Sequence, residues 1–216
     1  MIFVNFKTYQ EATGEAALSL TKVCAEVSQL TSIKIIPIVQ TVDLWRLASQ
    51  GLEVWAQSVD AIDFGAHTGG ILPEAILTAG AKGFLLNHSE KKLSLKELEK
   101  ILTKLKMKNG QTLVCAENLN EAQSFIDSQP TFLAYEPAEL IGGQVSVSQA
   151  KPETISEFIN KINNIPVLVG AGIHSQQDVQ KALELGAQGI LVSSSVVLAS
   201  EPKEILIKLA GGFKNG

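Results

Sequence analysis

The stretch GFLLNHSE, residues 83–90, joins a short apolar run to a polar tetrapeptide. The run at 83–86 has the composition and length of a buried β-strand. His88 and Glu90 follow it directly, so a strand here would carry an imidazole and a carboxylate to the edge of a sheet. This junction predicts both a sheet and a functional site at its edge.

Two further apolar runs end in the same way. Residues 2–4 lead into Asn5 and Lys7, and residues 132–135 lead into Glu136. An amide, an ammonium and a second carboxylate therefore join the imidazole at strand ends. This layout is typical of an active site and not of a core.

Apolar, β-branched runs recur along the whole chain, with helical patterns between them. Most of these runs are continuously apolar, which is typical of strands that are covered on both faces. The eight candidate strands are residues 2–4, 34–39, 53–57, 83–86, 112–115, 132–135, 167–169 and 189–192.

The segments between these runs carry helix-start signals. Ser94 and Glu97 form a predicted capping box ahead of apolar residues with helical spacing. Pro152 suits a first helical turn, and Ser175 is a weaker N-cap signal. The alternation of strand and helix predicts a parallel sheet.

Eight strand–helix units favour a closed (β/α)8 barrel, an α/β fold in which all carboxyl-terminal strand ends meet at one mouth. An open doubly wound sheet is the alternative, but it would need a glycine-rich turn after its first strand, which residues 5–9 do not supply. A similarity of pattern between residues 80–86 and 186–192 also fits eight units. Because no linker or charge block divides the chain, residues 1–216 are expected to form a single barrel domain.

Composition limits the possible partners. The 216 residues are 45% hydrophobic and 19% charged, with a formal net charge of −4. This balance argues against binding to nucleic acid or to a membrane surface, since either would need a basic face. No apolar run is long enough to span a bilayer and no export signal is visible, so a cytoplasmic location is expected. Cys24 and Cys115 are expected to be buried core residues and not a disulfide pair or a metal site.

Glu136 is the candidate general base. A carboxylate between Tyr135 and Pro137 would be partly desolvated, which raises its basicity. The alternative is a structural role, as a helix cap or as a salt-bridge partner of Lys7. The following residues, 137–144, are longer than a barrel loop needs and combine a proline with two glycines, which predicts a mobile lid.

His88 is the candidate electrophile. It precedes a segment interpreted as helical, and the positive end of a helix would keep its imidazole neutral and able to donate to a carbonyl oxygen. A loop histidine bonded to backbone is the alternative. Asn5 and Lys7, two apart on a segment taken as extended, would point to one side and present the ammonium to an anionic substrate; a solvated lysine is the alternative there.

The last two candidate strands end in small residues, GAG at 170–172 and SSS at 193–195. Successive amides in such turns can bind a phosphate, and barrels frequently have a phosphate site after strands seven and eight. The chain carries no metal-binding motif, and His67 and His174 are interpreted as structural residues or, for His67, as an interface residue. The pattern predicts proton transfer on a phosphorylated carbonyl compound without metal or cofactor.

Five motifs, in this order, resemble those of the triosephosphate isomerase family, in the short form typical of archaea. They are NFK at 5–7, GAHTG at 65–69, LLNHSE at 85–90, YEPAELIG at 135–142 and GAGI at 170–173. The resemblance covers nearly the whole chain. It implies a TIM barrel that interconverts dihydroxyacetone phosphate and D-glyceraldehyde 3-phosphate through an enediol(ate), in glycolysis and gluconeogenesis.

The resemblance also implies a role for each matching residue. Glu136 would move the proton between C1 and C2, His88 would be the neutral electrophile, and Lys7 would bind substrate and stabilise the enediolate. Asn5 would hold the site and Glu90 would be a supporting carboxylate near Lys7. The residues implied for phosphate binding are Ile141, Gly142, Gly172, Ser193 and Ser194.

The same resemblance implies a homodimer or a homotetramer, because in the family the loop that corresponds to residues 67–73 docks into a neighbouring subunit. Two other interpretations of the chain remain open at this point. It could be another phosphate-binding barrel enzyme of the sugar-phosphate epimerase type, or a barrel without catalytic activity. The first would need a metal-ligand set or a different acid–base pair, and the second has no physical need for Asn5, Lys7, His88 and Glu136 together.

Overall fold

The structure is a computed structural model that describes residues 1–137, 152–162 and 164–215. Its centre is a closed barrel of parallel strands in which each strand pairs with the next one in the chain. The strands are β1 (Ile2–Asn5), β2 (Ile35–Val39), β3 (Trp55–Ala56), β4 (Gly83–Leu86), β5 (Gln111–Ala116), β6 (Phe132–Tyr135), β7 (Val167–Val169) and β8 (Gly189–Val192).

The barrel closes where the first strand pairs with the last. Ile2 of β1 is in register with Ile35 of β2 on one side and with Ile190 of β8 on the other. The predicted (β/α)8 barrel is therefore confirmed and the open sheet is excluded. β2 is shorter than expected by one residue and β3 by three, although backbone hydrogen bonds from Gln57 N–H and to Val54 C=O continue the pairing of β3 at both ends.

The helices of the described residues surround the barrel. They are α1 (Glu15–Thr31), α2 (Thr41–Ala48), α3 (Pro73–Thr78), α4 (Leu95–Met107), α5 (Leu119–Phe125), α6 (Pro152–Ile162), α7 (Gln176–Glu184), α8 (Ser194–Val197) and α9 (Pro202–Gly211). The capping box predicted at Ser94 is present at the start of α4, and Ser175 caps α7 in the same way with Asp178. Within the part of the chain that the structure describes, no helix combines the length and apolar character needed to cross a membrane.

Aromatic side chains fill the barrel interior. Phe3 and Trp55 meet edge to face with their ring centroids 4.8 Å apart, and Phe132 lies 5.8 Å from Phe3. Cys115 belongs to the same interior cluster, whereas Cys24 is buried between strands and helices. Both cysteines are free and buried, as predicted. A filled interior supports the mouth of the barrel from below and leaves its rim for polar residues.

The similarity between residues 80–86 and 186–192 has a structural cause. Gly80 and Gly186 both end a helix with a positive φ, of 103° and 100°. Gly83 and Gly189 both start a strand where a side chain would not fit: a Cβ would lie 2.4 Å from the Trp55 indole or 2.5 Å from the Met1 carbonyl oxygen. The same steric need therefore recurs at strands four positions apart around the barrel.

Candidate active site

The polar residues predicted from the strand ends meet at the carboxyl-terminal mouth of the barrel. A cavity of about 80 Å³ is lined by residues from the ends of β1, β4, β6, β7 and β8. Its lining includes the predicted site residues Asn5, Lys7, His88, Glu136, Gly172, Ser193 and Ser194. Residues 138–144 of the predicted lid, with Ile141 and Gly142, lie outside the described residues.

Glu136 directly follows β6 and is buried, with 3% of its surface exposed. Burial raises the pKa of its carboxyl group from 4.5 to about 7, against the opposing effects of a hydrogen bond from the Cys115 thiol and of the Lys7 charge. Its Oε2 atom has no hydrogen-bond partner among the described residues. A desolvated carboxylate with one unpartnered oxygen and this pKa has the properties of a general base.

His88 follows β4 and faces Glu136. Its Nε2 atom lies 3.9 Å from Glu136 Oε2, and its Nδ1 atom accepts a hydrogen bond from the Glu90 N–H at 3.1 Å. Because Nδ1 is an acceptor, the neutral ring carries its proton on Nε2 and can donate it into the cavity. Burial, followed by the charge of Lys7, lowers the pKa of His88 to about 4.

The reason inferred from the sequence for a neutral His88 is wrong, although the neutral state itself agrees with this pKa. The residues after His88 form a turn, and the next helix, α4, begins at Leu95. The backbone amide of Glu90, and not a helix terminus, therefore donates to the imidazole. Burial and a nearby ammonium supply the effect that was assigned to a helix dipole.

Lys7 also departs from the expected geometry, because the chain is not extended there. Its φ is +46°, in the left-handed region that non-glycine residues seldom adopt. Two contacts hold this backbone: the Lys7 N–H donates to Asn5 Oδ1 at 3.1 Å, and the Lys7 carbonyl accepts from Gln57 Nε2 at 2.8 Å. Strained backbone of this kind is concentrated at functional sites.

The ammonium of Lys7 pairs with Glu90 and not with Glu136. Lys7 Nζ lies 2.7 Å from Glu90 Oε1. The alternative in which Glu136 serves as the salt-bridge partner of Lys7 is therefore not the arrangement observed. Pairing with Glu90 leaves the Glu136 carboxylate open to the cavity.

The opposite side of the cavity is formed by small residues. Gly172 has a φ of +66°, and Ser193 precedes the short helix α8. The first hydrogen bonds of α8 run from Val196 N–H and Val197 N–H to the Ser193 carbonyl, so the amide of Ser194 precedes them. The Ser193 hydroxyl donates to the Asn5 carbonyl at 2.8 Å and ties β8 to β1.

The roles of several residues in the site were missed by sequence reasoning. Gly170 has no room for a side chain, since a Cβ would lie 2.5 Å from Glu136 Cγ. The Cys115 thiol, on the neighbouring strand β5, bonds to Glu136, and Gln57, just after β3, donates to the Lys7 backbone carbonyl. No sequence signal identifies such contacts, because they depend on the register between strands.

The remaining histidines are exposed. His174 lines the rim of the cavity, and His67 lies in the loop between β3 and α3. Among the residues that the structure describes, no three His, Cys, Asp or Glu side chains are grouped so that they could hold a metal ion.

A buried carboxylate and a neutral imidazole at the carboxyl-terminal mouth of an eight-stranded barrel define a class, that of (β/α)8-barrel enzymes working by acid–base chemistry. Comparison with known families places the chain within that class. The family model for triosephosphate isomerase matches residues 1–209. The chain belongs to the triosephosphate isomerase family and is an isomerase.

Named relatives agree with this assignment. The chain is 44% identical to the triosephosphate isomerase of Methanothermus fervidus, over 97% of the chain and 96% of that protein. It is 41% identical to the triosephosphate isomerase of Methanopyrus kandleri, over 99% of the chain and 97% of that protein. The crystal structure of the Bartonella henselae triosephosphate isomerase superposes with a TM-score of 0.73 at 19% identity, covering 98% of this chain and 96% of that one, and supports the fold.

Proposed function

We propose that this chain interconverts dihydroxyacetone phosphate and D-glyceraldehyde 3-phosphate, with Glu136 as the base and His88 as the electrophile. The observation that carries the proposal is the pairing of these two side chains across one cavity, with 3.9 Å between His88 Nε2 and Glu136 Oε2. Burial moves their pKa values in opposite directions, to about 7 for Glu136 and about 4 for His88. Triosephosphate isomerase is known to use a glutamate base with a neutral histidine, and this supports the same roles for Glu136 and His88.

The proposed reaction moves one carbon-bound proton. Glu136 takes a proton from C1 of dihydroxyacetone phosphate, the C–H electron pair forms the C1–C2 double bond, and the carbonyl oxygen on C2 becomes an oxyanion. His88 Nε2–H and the Lys7 ammonium stabilise that oxyanion where its charge develops. Glu136 then returns the proton to C2, while the hydroxyl proton passes between the two oxygens by way of His88 and the carbonyl forms at C1.

Other residues hold the reacting groups in place. Asn5 binds the Lys7 backbone, and Glu90 both pairs with the Lys7 ammonium and donates its N–H to His88. The phosphate is proposed to bind at Gly172, Ser193 and Ser194, where small residues line the cavity opposite Lys7. Ile141 and Gly142, outside the described residues, complete the proposed phosphate contacts.

The substitution Glu136→Gln tests the proposal. It keeps the shape of the side chain but removes the base, so kcat is expected to fall by about 10²–10⁴-fold. The measurement is the isomerisation of glyceraldehyde 3-phosphate, coupled to reduction of dihydroxyacetone phosphate. Lys82→Gln, on the approach to β4 at the opposite end of the barrel, serves as the control and should retain wild-type turnover. Turnover of the Glu136→Gln protein close to that of the wild type would contradict the assignment.

We further propose that the chain works as a homodimer or homotetramer. Three large apolar side chains are exposed on α2 and on the loop after β3: Val42 at 81%, Trp45 at 68% and Phe64 at 77%. Val42 also lines a cavity of about 350 Å³ that reaches Lys7, His88 and Glu90, so a second subunit seated there would adjoin the site. Analytical ultracentrifugation tests this proposal, which a monomer at assay concentration would contradict.

A single domain over residues 1–216, a cytoplasmic location and a reaction without metal or cofactor complete the proposal. The two free, buried thiols, Cys24 and Cys115, suit a reducing compartment. The proton-transfer steps above use only side chains of this chain.

A further inference from the structure

Asn87 is a buried polar residue of the 83–90 stretch to which the proposed mechanism gives no role. It lies between the end of β4 and His88, and 4% of its surface is exposed. Its φ is +58°, in the left-handed region that asparagine tolerates better than other residues with a side chain. A buried polar residue in strained backbone beside a reacting group requires an explanation.

The side chain of Asn87 bonds in two directions. Its Nδ2 donates to the Cys115 carbonyl of β5 and to Glu121 Oε1 of α5, both at 2.9 Å. Its Oδ1 accepts from the Leu93 N–H at 3.1 Å, six residues further along the chain. The amide cannot be reversed, since Nδ2 would then face the Leu93 N–H as a second donor. Asn87 therefore closes the turn that carries His88 and joins it to the neighbouring strand.

Glu121, which accepts a hydrogen bond from Asn87, is itself held by a charged partner. Glu121 accepts from the Lys92 ammonium at 2.7 Å and from the Glu117 N–H at 2.7 Å. Lys92 also pairs with Glu117 at 2.9 Å. Asn87 and Lys92 of the 87–93 turn are thus both bound to the Glu121 carboxylate. The proposed mechanism gives none of these three residues a role.

We propose that Asn87 is a positioning residue for His88: its side chain binds the 87–93 turn to β5 and to Glu121, and this sets where the imidazole lies opposite Glu136. The inference rests on the proposed function for the importance of His88. Asn87 also binds the carbonyl of Cys115, whose thiol bonds to Glu136, so one asparagine connects the supports of both groups.

The substitution Asn87→Gly separates the side-chain bonds from the backbone conformation. Glycine adopts a positive φ without strain, so the turn keeps its backbone while the three hydrogen bonds are lost. We expect kcat to fall by about 10- to 100-fold with a much smaller change in KM, because a misplaced electrophile affects the transition state more than binding. The 15N resonances of His88 Nδ1 and Nε2, assigned by their absence in His88→Gln, are expected to shift as the ring leaves its place.

A matched control is Asn109→Gly. Asn109 has a φ of +56°, is exposed and follows α4 before β5, at the end of the barrel away from the site. Its replacement should leave kcat and the His88 resonances unchanged. Asn87→Asp is the second variant and serves as the test if Asn87→Gly does not fold. It keeps the acceptor for the Leu93 N–H but loses both hydrogen bonds that Asn87 donates. It should therefore shift the same His88 resonances.

The outcomes separate the two proposals. A folded Asn87 variant with unshifted His88 resonances would overturn the positioning role, whatever its kcat. A wild-type chain without isomerase activity would instead overturn the proposed function, and the His88 resonances would still decide whether Asn87 positions the imidazole.

Discussion

Burial shifts the pKa values of Glu136 and His88 in opposite directions. Removing a group from water disfavours its charged form, so the carboxyl group holds its proton more tightly and the imidazole loses its proton more readily. With the pKa of Glu136 at about 7 and that of His88 at about 4, the imidazole is neutral near neutral pH and the carboxyl group ionises there to become the base. The nearby Lys7 ammonium lowers both pKa values and so keeps the histidine neutral.

The place of the Glu136 carboxylate depends on the missing side chain of Gly170. A methyl group there would lie 2.5 Å from Glu136 Cγ and 2.9 Å from Oε1. Gly170→Ala should therefore displace the base and lower kcat by about 10²-fold, the usual cost of a misplacement near 1 Å. Steady-state kinetics of the folded variant measures this effect.

Gly189→Ala is the control for that prediction. It also forces a Cβ into contact, 2.5 Å from the Met1 carbonyl oxygen, but at the opposite end of the barrel. It should destabilise the fold while kcat stays near the wild-type value. Equal losses of kcat in the two variants would mean that Gly170 acts only through stability.

At the residue scale, the ionisable residues of the site could be predicted from the sequence, but the residues that position them could not. Glu136 and His88 could be predicted because each polar residue follows an apolar run. Gly170 and Asn87 act through contacts with other strands, and such contacts depend on register and not on local pattern. The left-handed φ of Lys7 was missed in part for the same reason, since the Gln57 side chain, just after β3, binds the Lys7 carbonyl, while Asn5 binds the Lys7 N–H locally.

At the scale of elements, continuous apolar runs located every strand of the barrel, because strands covered on both faces carry a simple signal. The segment after His88 was misread as a helix start. Its composition is compatible with a helix, but Asn87 Oδ1 binds the Leu93 N–H and closes a turn there. The capping box of Ser94 then starts α4 at Leu95.

Gly83, at the start of β4, has no room for a side chain because an interior aromatic ring packs against its backbone. A Cβ on Gly83 would lie 2.4 Å from the Trp55 indole, which is fully buried and cannot move aside. Gly83→Ala should therefore lower the free energy of unfolding by about 1–3 kcal/mol, the usual cost of overpacking. Denaturant unfolding measures it.

The matched comparison is Gly110→Ala, just before β5. There a Cβ would have its nearest neighbour, Leu105 Cδ2, at 3.3 Å, so a shift of a few tenths of an ångström relieves the contact. Its cost should be clearly smaller than that of Gly83→Ala. A reversed order would contradict the account of the interior as tightly filled around Trp55.

At the scale of the whole molecule, the base lowers the stability of the fold that holds it. Because the pKa of Glu136 rises from 4.5 to about 7 on folding, the folded chain keeps a proton that the unfolded chain loses between these values. Stability from this group is therefore lost as the pH rises through that window, by about 3 kcal/mol in total.

Replacing the base should reveal this cost. Glu136→Gln removes the buried charge, so at pH 8 the variant is expected to be more stable than the wild type by about 1–3 kcal/mol. At pH 5, where the folded wild type is already protonated, the difference should nearly vanish. Thermal or denaturant unfolding at the two pH values measures it, and a pH-independent difference would show that the carboxylate is not desolvated as described.

The barrel brings together groups from five strand ends that are far apart in the chain. The proposed reaction requires Glu136 to transfer a proton between two carbons of the substrate. The most direct measurement is the exchange of carbon-bound hydrogen for solvent deuterium in ²H₂O. It is followed by 1H NMR, as the loss of the carbon-bound proton signals of dihydroxyacetone phosphate and glyceraldehyde 3-phosphate. The wild type should incorporate deuterium at the carbons that lose and gain the proton, and Glu136→Gln should slow this incorporation by about 10²–10⁴-fold. Incorporation by the folded variant at the wild-type rate would contradict the account.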